Sequence, residues 1–271
     1  RSLLLDGDHL WIGTYAKGIR VVNLRTGAVK VYTHSRGIPY TICSNDVLCF
    51  YRGRNGEIYV GTSWGLCRYD AAKDNFIGSM ISITDMHEDM YNHLWIATSS
   101  SGVFTYNTIN GHYKNYQHER EDSTTITSNS IITLFEDVKG TMWFGTNGGG
   151  LCSFDAKEKR FIEFDPHNTL LPNKVIYAIE QDQGGDFWVS SNAGIFKINP
   201  VTKDHFRQFT INDGLQGNQF IARSSLKSSE GKLYFGGING FNVFQPEQFV
   251  DNKYIPPVYV TDIRLPYQTD E

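Results

Sequence analysis

The sequence predicts an all-β propeller of six visible four-stranded blades, a unit that larger propeller arrays can contain, and three observations carry that prediction. A five-residue motif recurs six times, as LWIGT at Leu10, IYVGT at Ile58, LWIAT at Leu94, MWFGT at Met142, FWVSS at Phe187 and LYFGG at Leu233. Its aromatic residues, Trp11, Tyr59, Trp95, Trp143, Trp188 and Tyr234, stand 48, 36, 48, 45 and 46 residues apart, about the length of one blade. Composition agrees: 26 Gly, 15 Tyr and 17 Phe among 271 residues favour short strands and tight turns over helices.

Each unit then yields its four strands in order. The first precedes the motif, as in DVLCFYR, SIITLFEDV, VIYAIEQD and FIARSSLKS. The motif itself is the second strand. Both of its faces are apolar, Leu10 and Ile12 on one and Trp11 and Gly13 on the other, so a neighbour must cover each. Two residues past the aromatic stands a small side chain, Gly13, Gly61, Ala97, Gly145, Ser190 or Gly236, which predicts close approach of the next blade. A glycine opens the third strand at Gly18, Gly65, Gly102, Gly150, Gly194 and Gly240. That strand ends at Asn, Asp or Gln before a polar turn, and most units add a short aromatic fourth strand near Tyr32, Tyr116, Phe164 and Phe209. A mixed sandwich is the rival fold, and the regular period argues against it.

One join is irregular: NFIGSMISITDMHED carries the outer strand of unit two almost directly into the inner strand of unit three. The propeller is assigned to residues 1–250. Residues 251–271 form a separate strand or linker, because IPPVYVTDIRL follows a Pro-Pro break and does not match the repeat.

Charge excludes several partners. With 25 Lys+Arg against 29 Asp+Glu, a net charge of −4 and no basic cluster, neither a nucleic-acid track nor a polybasic membrane patch is expected. No apolar run reaches the roughly 18 residues of a membrane span. The opening RSLLLDGDHL lacks the features of a signal peptide and reads as an interior piece of a longer protein.

The repeat supplies its own control for site residues: what recurs serves the fold, and what breaks the pattern needs another explanation. Blade topology puts the loop before the inner strand and the loop between strands two and three on one face of the disc. The hairpin between strands one and two falls on the other. Asn45, Asn129, Asn173 and Asn218 recur on the first face and read as backbone caps. Trp64 breaks the pattern, since other units carry Ser, Asn or Ala there. An indole can stack on a sugar face or pack against a partner, which makes Trp64 the first ligand candidate. Tyr15, Lys17, Arg36 and Tyr40 join it from the first two units and the loop between them. The opposite face collects acidic turns around Glu88, Asp89, Glu136, Asp137 and Asp182. Cys43, Cys49, Cys67 and Cys152 show no metal or redox spacing, and Cys67 and Cys152 occupy the strand position of Phe104 and Phe196, as buried small hydrophobes would. The eight His make no H-x-H or H-E-x-x-H, so neither a metal nor another cofactor is expected.

The run SNSIITLFEDVKGTMWFGTNGGGLCSFD, Ser128 to Asp155, resembles the two-component regulator propeller repeats of the sensor region of hybrid histidine kinases. DGLQGNQFIARSSLKSSEGKLYFGGINGFNVFQP resembles the last repeat of such arrays, and PPVYVTDIRL the start of the β-sandwich that follows them. The resemblance implies a periplasmic, ligand-sensing module without catalytic residues, reading a carbohydrate and signalling to a kinase outside this chain. It implies an oligosaccharide, other domains of the same receptor or a second copy as partners. Two alternatives stand beside it. A propeller lyase or glycan-active enzyme would need the Glu of a W-F-T-E-like strand, where this chain has Thr14, Thr62, Thr98, Thr146, Ser191 and Gly237. A non-catalytic interaction scaffold needs no such residue.

Overall fold

The computed structural model describes residues 2–79, 81–165, 171, 173–203 and 206–249. The tail assigned from residue 251 onward lies outside them. The described chain is all-β apart from two three-residue 3-10 turns. It forms six sheets in chain order, five four-stranded and the sixth three-stranded among the described residues. Blade one is built from Ser2–Asp6, His9–Gly13, Ile19–Asn23 and Val29–Tyr32; blade two from Val47–Arg52, Ile58–Thr62, Leu66–Asp70 and Asn75–Ser79. Blade three comprises Ile83–Glu88, His93–Thr98, Val103–Asn107 and Tyr113–Tyr116; blade four Ile131–Glu136, Met142–Thr146, Leu151–Asp155 and Arg160–Glu163. Blade five has Ile176–Gln181, Phe187–Ser191, Gly194–Ile198 and Phe206–Phe209; blade six Phe220–Lys227, Leu233–Gly237 and Gly240–Phe244. All strand pairs within the blades are antiparallel.

The core lies between blades. Trp11, Trp95, Trp143 and Trp188 occupy equivalent second-strand positions and are all buried. Around three of them the same four rings assemble. Trp11 of blade one meets Tyr32 and Tyr69, and Phe76 of blade two packs on both tyrosines; Trp95 of blade three meets Tyr116 and Phe154, and Phe161 of blade four packs on both of those rings. Trp188 meets Phe209, Phe244 and Phe249. Phe249 follows a 3-10 turn, yet it takes the place that fourth-strand Phe76 and Phe161 take elsewhere. A single ring therefore finishes the outer edge of blade six without a fourth strand among the described residues.

The small residues mark interblade contact as expected. A Cβ on Gly13 would lie 2.6 Å from Val47, one on Gly61 2.8 Å from Ile83 and one on Gly145 2.8 Å from Ile176, each in the following blade. Gly102 is required for a second reason: its φ is 74°, and a Cβ there would meet the Tyr116 carbonyl oxygen at 2.1 Å.

Blade six is tied across the ring. Arg223, at φ 57° in an irregular first strand, donates from Nη1 to the carbonyls of Leu48, at 3.1 Å, and Thr84 in blades two and three. A cleft of about 910 Å³ separates blades six and one, lined by Leu3 on one side and Leu226, Tyr234 and Phe241 on the other.

Candidate functional site

The loop face is built by hydrogen bonds that repeat from blade to blade. Asn45 Oδ1 accepts from the His34 amide at 2.7 Å, Asn129 Oδ1 from His118 at 2.8 Å and Asn218 Oδ1 from Ile211 at 2.8 Å. Their carbonyls accept from Gly18, Gly102 and Gly194. Asn173 instead caps the Val175 amide at 2.7 Å. The recurring asparagines are thus the frame that holds the loops.

On that frame Tyr15, Lys17, Arg36, Tyr40 and Trp64 are all exposed. Asp46 ties the loops that carry Tyr15 and Trp64, taking the Ala16 amide on Oδ1 at 2.7 Å and the Ser63 amide on its carbonyl at 3.0 Å. Ser44 and Ser63 hydroxyls meet at 2.9 Å beside it. The Trp64 ring is 58% exposed and stands edge-on to His34, with centroids 5.8 Å apart. His34 is fixed in turn, its Nδ1 lying 2.7 Å from the Ile42 carbonyl. Tyr40, at φ 64°, accepts the Phe76 amide on its carbonyl and leaves its ring outward. Lys17 and Arg36 form no ion pair among the described residues. The structure therefore joins the Tyr15 and Trp64 loops through Asp46 and links Trp64 to the Arg36 loop through His34. None of the five residues lines the cleft between blades six and one or the cleft walled by Tyr59, Ile77 and Tyr113.

The hairpin face differs from its charge. Asp89, Asp137 and Asp182 each accept the indole N–H of the tryptophan six residues on, at 2.8, 3.0 and 2.9 Å. The other carboxylate oxygen holds the turn, taking the His93, Thr141 and Asp186 amides. The residues just before them bind the preceding blade: Glu88 accepts the Arg54 amide, Glu136 that of Met90 and Gln181 that of Val138. Much of the acidity expected to mark this face is consumed by the fold, and Glu88, Asp89 and Asp182 are buried.

The hydroxyls that replace the lyase-type Glu are likewise committed. Thr14, Thr62, Thr98 and Thr146 donate to the carbonyls of Gly18, Gly65, Gly102 and Gly150 at 2.7–2.9 Å, and Ser191 donates to Gly194 at 3.3 Å. Among the described residues no group of three or more His, Cys, Asp or Glu is placed to hold a metal ion. Cys67 and Cys152 are fully buried, and burial raises the Cys152 thiol to about 11.

Residues 125–148 match the family model described as two component regulator propeller. A curated relative, histidine kinase P4 of Formosa agariphila, is 29% identical over 245 residues, covering 72% of this chain and 18% of its own length. The chain thus spans less than a fifth of that relative. Among solved structures, PorZ, a surface component of the type-IX secretion system of Porphyromonas gingivalis, superposes with a TM-score of 0.70 at 18% identity, over 90% of this chain and 38% of that one. A virginiamycin B lyase from Staphylococcus aureus gives 0.65 at 14% identity, over 91% and 84%. At those identities the likeness is one of fold.

Proposed function

We propose that this chain, which carries the two component regulator propeller repeat, is the extracytoplasmic ligand-sensing module of a hybrid two-component sensor histidine kinase, recognising a carbohydrate and signalling to a kinase domain elsewhere in its parent protein. The observation that carries the ligand site is Trp64: an exposed indole five residues past the core aromatic, where the sister blades hold Ala16, Ser100, Gly148, Ala193 and Asn239, set on loops braced by Asp46 and His34. Tyr15 and Tyr40 add exposed ring surface, and Lys17 and Arg36 add cations that form no ion pair among the described residues. Aromatic faces suit the apolar side of a sugar ring, and cationic donors suit hydroxyls or uronic carboxylates. The periplasm is the compartment this reading requires. Other receptor domains or a second copy complete the assembly.

The module is read as non-catalytic. Its hydroxyls at the lyase Glu position are spent on glycine carbonyls, which supports binding over general-base chemistry. The thermal melt of the chain in the presence of a polysaccharide panel tests the sensing reading. At least one glycan should raise the Tm, saturably. A panel that shifts nothing favours the scaffold, and turnover of a glycan or lactone antibiotic that disappears with one loop-face substitution favours the enzyme.

A further inference from the structure

The ring quartet that seals the blade one–two, three–four and five–six junctions is broken between blades two and three. Tyr59 stands at the tryptophan position. The register places Ser79 opposite Leu66, where Tyr32, Tyr116 and Phe209 stand opposite Ile19, Val103 and Ile195. The other two members are present as Tyr106 and Tyr113, paired as Tyr69 pairs with Phe76 and Phe154 with Phe161. They are not buried: Tyr113 is 79% exposed, against 2% for Phe76 and 3% for Phe161.

The connector is missing here too. Between blades one and two the loop buries Ile42, and between three and four it buries Ile126, both fully. Between Ser79 and Ile83 only three residues intervene, and Ile81 stays on the surface. What remains is a largely apolar cleft of about 670 Å³, whose walls include Tyr59, Ile77, Leu94, Phe104, Tyr106 and Tyr113. That volume lies within the range of small-molecule sites.

We infer that this cleft is a second binding site, for a small planar aromatic molecule carrying one hydrogen-bond acceptor such as a carboxylate or phenolate. The ring takes the place of the absent quartet member. In the sealed junctions that member stacks on the tryptophan, with interplanar angles of 5°, 18° and 24°. The acceptor is specified by the cleft's polar end. There Glu57 is already filled: Oε2 accepts from Tyr59 Oη at 2.8 Å and from Asn55 Nδ2 at 2.9 Å, and Oε1 pairs with Arg68. Arg68, half-exposed and lining the cleft, keeps guanidinium donors beyond the one given to Glu57, so the complementary ligand group is an acceptor. This site is independent of the Trp64 face and does not rest on the carbohydrate reading.

The test titrates the chain with indole-3-carboxylate and para-hydroxybenzoate, with cyclohexanecarboxylate as the non-aromatic control, following Tm and tyrosine fluorescence. The aromatic acids should bind saturably and the control at least tenfold more weakly. Ser79→Tyr, which restores the repeat, should raise the ligand-free Tm and abolish the response. Tyr113→Ala, an exposed substitution, should keep the fold and weaken binding about five- to tenfold. Binding that is absent in the wild type, equal for the cyclohexane acid, or undiminished in both variants overturns the inference. The glycan response of the Trp64 face should be unchanged in either variant, which separates failure of this site from failure of the sensing reading.

Discussion

At the residue scale, one carboxylate shows how the repeat is encoded. In E-D-x-x-G-x-x-W the aspartate grips its own turn with one oxygen and the indole six residues ahead with the other. Trp11 is the exception that follows from sequence: the residue six before it is Leu5, its hairpin turns on Gly7 and Asp8 alone, and its Nε1 is buried with no hydrogen-bond partner among the described residues. Asp182→Ala should therefore destabilise the chain by about 2–3 kcal/mol, because it strands the buried Trp188 donor and frees the turn. Urea unfolding followed by tryptophan fluorescence reads this directly. A loss below about 0.5 kcal/mol would mean that the indole bond is dispensable, as it is at Trp11. These aspartates were legible as a recurring acidic turn but not as buried groups, since a spacing of six along the chain does not reveal that the hairpin curls back over the indole.

At the element scale, the strands and their order were legible because both faces of each core strand are apolar and a glycine opens each third strand. The abrupt join between blades two and three was legible for the same reason. Its consequence was not. The lost aromatic at Ser79 is one residue in a short strand, and only the cross-strand register shows that it stands where Tyr32 and Tyr116 stand. Connector loops elsewhere act as plugs. Ile126→Ala, at a fully buried plug, should cost about 2–4 kcal/mol, whereas Ile81→Ala, in the short exposed connector, should stay within about 0.5 kcal/mol. Denaturant midpoints of the two variants check the contrast, and equal losses would show that the short connector also seals its junction. Of the site residues, Trp64 was legible as a break in the repeat. The bracing by Asp46 and His34 was not, because it joins loops from different blades.

At the scale of the whole molecule, the blades are coupled by polar contacts as well as by rings. Asp74 of blade two accepts from Lys30, from Tyr32 Oη at 2.5 Å and from Tyr69 Oη at 2.7 Å, which stitches it to blade one. The Lys30 bond first, then the two phenols, hold its carboxyl down at about 2, from an ordinary 3.8. A carboxyl depressed in the folded state contributes stability above its unfolded value, and that contribution is lost as pH falls from about 4 toward 2. Because the Asp74 side chain is nearly half exposed, solvent screening keeps the effect modest. Asp74→Asn should be less stable than wild type at pH 6 and should lose less stability than wild type between pH 4 and pH 2. Parallel acid-induced losses in the two proteins would show that the stitch carries no linkage.

The sensing account stands on the loop face of blades one and two, and one measurement reaches it most directly. Calorimetric titration of the parent receptor with the glycan that raises the Tm of this chain should give a dissociation constant that Trp64→Ala weakens by roughly 1–3 kcal/mol, about 5- to 150-fold. Circular dichroism and the melt of the variant should match wild type, since the ring is exposed. Unchanged affinity in a folded Trp64→Ala receptor would contradict the account and move the ligand off this face.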